Sequence, residues 1–478
     1  MAASILGYGV YLPYYRIKRE DIGKAWGGGG RGENAVAFVN EDVITMAVEA
    51  AQNAVEHAGV DPASLGAIYV GTNSAPFVEQ SSGGVIAMTL GVSPEADLID
   101  FTASPRASLA ALKACSDAIV AGRIKTGLVI GTDDRQPSTG SDLELAFGAG
   151  ACALVMGQGQ GVAELHDVFT FSTAFRDTWR ADGDSVVRVF EPRYTREYGY
   201  AQHITQAASG LMKRANAKIT DFQHVVIQQP DDRMPRNVAR TLGASPQQLE
   251  TSLVFPQIGD TGAASVLLGL AAALDRAKAG ERVLALSYGS GVSDALAWKV
   301  TGSRPQKRPL GVYLKSKEYV DYTTYLKFRG VLADTSNPPA KMGLPPMSPL
   351  MTREGPELLR LIGGKCAKCG YVNYPPSERR ICIRCGNTQF HTVVLPRRGK
   401  IHTFCISYYL PAGFEEATLP VIVADLEDGT RHRALGTEMK PEEVKIDKEV
   451  ELVVRRLATE DNTNLYGNVF RFPRGATV

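Results

Sequence analysis

The sequence predicts an α/β fold of two doubly wound halves, followed by a zinc ribbon and a small β-barrel. Three observations carry this expectation. Short apolar runs alternate with amphipathic stretches through residues 1–300. Two Cys-x-x-Cys pairs follow, Cys366 with Cys369 and Cys382 with Cys385, separated by twelve residues. Beyond them come strand-like runs divided by turn residues.

Residues 67–71 and 126–131 are apolar runs ending in Gly, as expected of parallel strands covered on both faces. Residues 224–228 and 282–287 read the same way without the immediate Gly. Amphipathic helices are expected at 43–57, 109–121 and 263–277. The same order of elements recurs before and after residue 165, so the halves are placed at 1–165 and 166–300. Gly27 to Gly30 form a flexible loop; the Lys-Ser/Thr pair of a phosphate cradle is missing. Residues 301–350 are expected as a linker, with a helix at 319–329 and a Pro-rich extended stretch at 336–349. The ribbon is assigned to 351–390 and the barrel to 391–478, with strands at 392–395, 400–407, 421–426, 431–435 and 449–456.

The chain has 478 residues, 44% of them hydrophobic and 22% charged, which suits a soluble globular protein with a large core. A net charge of +1 makes no electrostatic case for nucleic acid or membrane as partner. The later half of the barrel is rich in Asp and Glu, which also argues against nucleic acid. The start reads as a strand entry rather than a signal peptide, and no run approaches a membrane span, so a cytoplasmic location is expected. Two disulfides or four free thiols are alternatives for the paired knuckles. Reducing conditions disfavour the first, and the spacing disfavours the second. Four thiolates leave no open position on zinc, so the metal is expected to be structural. Cys115, Cys152 and Cys405 read as small hydrophobes.

Residues 98–112 read as a strand, a turn and an Ala-rich helix. Enzymes that build or break C–C bonds on thioesters present a nucleophilic Cys at such an elbow, where helix dipole and backbone N–H groups favour the thiolate. Pro105 stands there instead, with neither nucleophile nor N–H. Around it lie Asn-Glu-Asp-Val-Ile-Thr-Met-Ala at 40–47, Ser-Asp-Leu-Glu-Leu-Ala-Phe-Gly-Ala-Gly-Ala at 141–151, Ile-Gly-Asp-Thr-Gly-Ala-Ala-Ser at 258–265 and Ser-Tyr-Gly-Ser-Gly-Val-Ser-Asp-Ala at 287–295. These blocks, within residues 5–300, resemble 3-hydroxy-3-methylglutaryl-CoA synthase of the archaeal and bacterial kind, in the thiolase superfamily. The resemblance implies a thiolase-like five-layered duplicated fold, an acyl-CoA substrate and a homodimer through the thiolase-like domain. The ribbon and barrel resemble the acyl-CoA-associated OB-fold module that accompanies thiolase-like proteins, which implies a possible thiolase-like partner.

By the same resemblance, the family's catalytic Glu falls on Asn73, its Cys on Pro105, its His on Gln228 and its Asn on Asp260. Arg233 matches a Lys that contacts coenzyme A, and Ser290, followed by Gly291, a Ser near the acyl end. His203, with Tyr200 close by in sequence, occupies a family position of structural type that could still reach the pocket. Ser104 is a one-position alternative to the missing nucleophile. Two functions are carried forward. One is an acyl-CoA enzyme of aldolase or retro-aldol type, similar to Cys-less thiolase-like aldolases of steroid side-chain degradation. In it Asp260, desolvated beside amides, is the base, and Gln228 and Asn73 are donors to the enolate oxygen. The other is a non-catalytic acyl-CoA-binding scaffold subunit.

Overall fold

Nine strands form one mixed sheet at the centre of the molecule: β1 (Ala3–Tyr11), β2 (Ala67–Gly71), β3 (Asp97–Phe101), β4 (Thr126–Asp133), β5 (Gly150–Gln158), β6 (Ala163–Ser172), β7 (His224–Ile227), β8 (Arg282–Gly289) and β9 (Val292–Val300). Their order is β7-β8-β9-β6-β1-β5-β4-β2-β3. The computed structural model describes residues 2–332, 347–376, 380–408 and 418–475.

The duplication is visible in the topology. In the first half β1 pairs antiparallel with β5, β5 antiparallel with β4, and β4 parallel with β2. In the second half β6, β9, β8 and β7 repeat that pattern of directions. The halves join where Ser4 and Ile5 pair with Glu164 and Ala163. The strand β6 therefore runs through the expected boundary at 165.

Helices α1 (Val43–Ala58), α2 (Ala107–Val120), α3 (Gln202–Arg214) and α4 (Ser265–Leu274) complete the layers. Helix α4 is apolar all round and buried at every position, which places it with α2 in the middle layer. Each fully buried Leu or Val there contributes roughly 1.5–3 kcal/mol. Two glycines admit this layer. A Cβ on Gly71 would meet the Ser108 nitrogen at 2.3 Å, and one on Gly131 the Ala263 oxygen at 2.6 Å. Helix α1 covers the first half sheet; Asp42 accepts from the Ile44 and Thr45 N–H groups at its start, and Gly59 ends it at φ 66°. Helix α3 covers the second half sheet.

After β9 the structure departs from the expected order. Leu310–Lys315 is a short helix, Glu318–Val320 is a strand paired with Tyr15–Lys18, and of the helix expected at 319–329 only Tyr322–Phe328 forms. The Pro-rich stretch expected at 336–349 lies outside the described residues up to 346, and its last three residues open helix α5 (Met347–Arg360). Pro349, Gly355 and Pro356 hid this helix, because each is a breaker by local propensity; packing against Gly83–Leu90 holds it. Strands β10 (Ile362–Cys366), β11 (Val372–Asn373) and β12 (Phe390–Val394) form the ribbon sheet. The run at 392–395 thus belongs mainly to the ribbon rather than the barrel.

The barrel comprises β13 (Arg398–Ser407), β14 (Leu419–Leu426), β15 (Arg431–Leu435), β16 (Glu449–Glu460) and β17 (Thr463–Arg471), in the order β15-β14-β13-β16-β17. An isolated bridge between Gly436 and Phe470 links the segment after β15 to β17. Strand β17 was not legible in the sequence, since Asn464, Gly467 and Asn468 break its apolar alternation.

The barrel docks on α1 through buried charge. Arg471 meets Glu49 with two donors, Nη1 at 2.9 Å and Nη2 at 2.6 Å, and Arg455 adds Nη1 to Glu49 at 2.8 Å. Arg455 and Arg474 share Glu438 at 2.8 and 2.6 Å. Burial opposes the charge on Glu49, but Arg471 and then Arg455 outweigh it and hold its carboxyl below the usual range. Among the described residues no helix is long and apolar enough to cross a membrane.

Candidate functional site

A cavity of about 750 Å³ opens at the carboxyl ends of β2, β3, β4 and β6. Binding sites of open α/β sheets form at such strand ends. Asn73, Ser104, Pro105, Arg135, Thr173 and Ser290 line it, with Phe175, Trp179 and Phe190 forming an aromatic wall.

The elbow is a turn before the helix rather than the helix start itself. The Ala107 nitrogen donates to the Ser104 oxygen at 2.9 Å, so Pro105 occupies the second position of a β-turn, and α2 begins two residues later. Ala103 holds φ 70°, a left-handed conformation costly for Ala. Ser104 is buried, and its Oγ accepts from the Arg106 nitrogen at 3.3 Å.

Asn73 is held by a carboxylate that the sequence reading did not single out. Asp133, at the end of β4, accepts from the Asn73 nitrogen at 2.6 Å and from its Nδ2 at 3.0 Å. It also accepts from Thr72, Ser74 and the Ala263 nitrogen. Arg180 donates to the Asn73 backbone oxygen at 2.8 Å. Asn73 is thereby positioned but has no basic group.

Asp260 is not beside amides. Arg135 Nη2 donates to its Oδ2 at 2.6 Å, and the Gly262 nitrogen donates to Oδ1 at 2.9 Å. Both oxygens are engaged, and Asp260 is buried behind Arg135, off the cavity wall. The expected desolvated base is therefore a paired carboxylate, because a guanidinium 125 residues away in the chain folds against it. Gln228 is also buried off the wall; its Oε1 accepts from the Tyr288 nitrogen at 3.0 Å. Tyr200 donates its hydroxyl to the Gln228 backbone oxygen inside the second-half core. Arg233 is exposed at the start of the helix Met234–Leu242 and does not line this cavity.

Ser290 and Gly291 form the two-residue turn of the β8–β9 hairpin, both at positive φ, 52° and 73°. Ser290 Oγ donates to the Ala103 oxygen at 3.3 Å and faces the cavity. Gly291 serves the backbone: a Cβ there would meet the Phe175 oxygen at 2.6 Å.

His203 stands one side chain behind the wall. Its Nε2 lies 2.8 Å from Thr173 Oγ1, and its Nδ1 lies 2.6 Å from the Gly199 oxygen. Arg135, Asp133 and Thr173 are the site residues the sequence reading missed. The available signal for the first two was a run of charge directly after a buried strand; Thr173 gave none.

The ribbon holds a second site. The sulfurs of Cys366, Cys369, Cys382 and Cys385 all lie within 4.8 Å of one another. Burial works against the Cys366 thiolate, but the Cys369 and Lys368 N–H groups lower its pKa to about 6. At Cys385 the Asn387 N–H lowers the pKa, yet burial and its three sulfur neighbours win and push it up to about 12. Such a tetrad carries full charge only around a cation, and four thiolates at this spacing suit tetrahedral zinc.

Residues 212–300 match the family described as 3-oxoacyl-(acyl-carrier-protein) synthase III C terminal, and residues 353–391 match the ChsH2 rubredoxin-like zinc ribbon domain. The hydroxymethylglutaryl-CoA synthase of Methanopyrus kandleri is 39% identical over 339 residues, covering 68% of this chain and 97% of that protein. That of Methanocaldococcus jannaschii is 37% identical over 340 residues, covering 68% and 98%. Among solved structures, "MvaS in complex with 3-hydroxy-3-methylglutaryl coenzyme A" superposes with a TM-score of 0.63 at 21% identity, covering 72% of this chain and 94% of that one, a likeness of fold. With that coverage of its relatives and the thiolase-like core described above, the chain belongs to the hydroxymethylglutaryl-CoA synthase family, extended by a zinc ribbon and a small barrel.

Proposed function

We propose that this protein binds an acyl-CoA and makes or breaks a C–C bond next to the thioester, in the manner of an aldolase or retro-aldol lyase, without an acyl-enzyme on Cys. The observation that carries the reading is Pro105 at the elbow of a cavity that keeps its polar donors. Asn73 and Arg135 remain on the wall, so an enolate oxygen can be stabilised where no thiolate can form. The relatives' names supply coenzyme A as part of the substrate. Zinc in the Cys tetrad is structural on this reading, since no ligand position is open.

A homodimer through the thiolase-like domain has support in β3, an edge strand of the sheet with Ile99 38% exposed. A thiolase-like protein partner remains part of the proposal. A second reading, the non-catalytic acyl-CoA scaffold, is favoured by one observation: Asp260 is tied to Arg135 and is not available as base.

Turnover of the purified protein with a panel of β-hydroxyacyl-CoA esters separates the two. Cleavage to a shorter acyl-CoA supports the lyase; titratable binding with no turnover supports the scaffold. Calorimetry with acetyl-CoA should show weaker binding to Arg233→Glu, and equal affinity removes Arg233 from the coenzyme site. Mass spectrometry after incubation with acetyl-CoA should show no adduct on residues 98–112.

A further inference from the structure

We propose that Thr173 and His203 form the proton relay of this site, with Thr173 as the catalytic residue that meets the hydroxyl of a β-hydroxyacyl thioester. The inference rests on the lyase reading and supplies the base that Asp260 cannot be.

Thr173 directly follows β6, on the cavity wall and exposed to it. Its hydroxyl lies 2.8 Å from His203 Nε2. His203 Nδ1 faces two carbonyl oxygens, Gly199 at 2.6 Å and Tyr198 at 2.9 Å. A carbonyl only accepts, so Nδ1 carries the proton, and Nε2 presents its lone pair to the Thr173 hydroxyl. The carbonyls come from the π-helical turn Thr195–Ala201, a rare geometry found mostly at functional sites. Rings of Phe171, Phe175 and Tyr288, with centroids at 5.3, 5.9 and 5.4 Å, enclose the imidazole and fix its plane. Hydroxyl, imidazole and orienting acceptor thus stand in the order that activates an alcohol. Asn73, by contrast, is an amide bound to Asp133, and among the described residues no imidazole or carboxylate is hydrogen-bonded to Ser104.

In the cleavage direction the substrate hydroxyl gives its proton to Thr173 Oγ1 as the Thr173 proton passes to His203 Nε2. The C–O bond becomes a carbonyl, the Cα–Cβ bond breaks, and its electron pair enters the thioester as an enolate. The proton then returns from the imidazolium through Thr173 to Cα. A β-hydroxyacyl thioester becomes a carbonyl compound and a shorter acyl thioester, with no oxidant or co-reactant.

The reverse half-reaction is testable without the natural substrate. Acetyl-, propionyl- and phenylacetyl-CoA are incubated with the full chain in D₂O, and α-hydrogen exchange is read by mass spectrometry. The unmodified protein should exchange at least one of them. Thr173→Val should lower the rate at saturating thioester about 100-fold or more with KM little changed, while Thr173→Ser keeps it within about tenfold. His203 acts through Thr173 as a positioning residue and proton store, so His203→Gln should match Thr173→Val in rate with coenzyme binding retained. Undiminished exchange in Thr173→Val overturns the relay and leaves the enolate reading standing. No exchange by the unmodified protein with any of the three overturns both.

Discussion

The Arg135 guanidinium reaches Asp260 at 2.6 Å, with both side chains only 7% exposed. Breaking a buried pair from one side leaves the other charge uncompensated, a loss of about 3–5 kcal/mol. Asp133, 3.9 Å from Arg135 Nε, offsets part of that. Asp260→Asn should therefore destabilise the thiolase-like domain by about 3 kcal/mol in urea denaturation. A variant as stable as the parent would mean the pair contributes nothing to the fold.

Glu49 is the hinge of charge between α1 and the barrel. Glu49→Gln deprives Arg471 and Arg455 together, both of which are fully buried. The expected loss is about 3–5 kcal/mol, felt first as release of the barrel from the core. Limited proteolysis should then cut between residues 301 and 360 earlier than in the parent. An unchanged digestion pattern would contradict this.

His432 makes the barrel acid-sensitive. Burial pushes its pKa from 6.5 down to about 4. The folded state resists a proton that the unfolded chain accepts, so this stability is present above pH 6.5 and is lost as pH falls toward 4. The full loss is about 3 kcal/mol. Denaturation at pH 7 and pH 4.5 should show His432→Phe losing less stability than the parent. Equal losses would place the acid response elsewhere, since zinc release is common to both proteins.

Metal analysis should find one zinc per chain. Folding of such ribbons draws largely on metal binding, so Cys382→Ser should open the ribbon and loosen the barrel while the nine-stranded sheet keeps its cooperative transition. Iron in place of zinc, or no metal, contradicts the assignment.

The sequence by itself determined whatever is encoded over short spans. Apolar runs marked the central strands, two knuckles marked the ribbon, and a Pro at the elbow excluded a Cys acyl-enzyme there. Each signal needs only neighbours within a turn or a strand, where periodicity and propensity act. The tertiary structure alone decided which polar groups meet. Arg135 finds Asp260 across 125 residues, Asn73 finds Asp133 across 60, and Thr173 finds His203 across 30. The character of an ionisable group follows from the charge and burial around it. That environment is assembled by layers packing from distant parts of the chain, and so Asp260 reads as a base in the sequence and is paired with Arg135 in the fold.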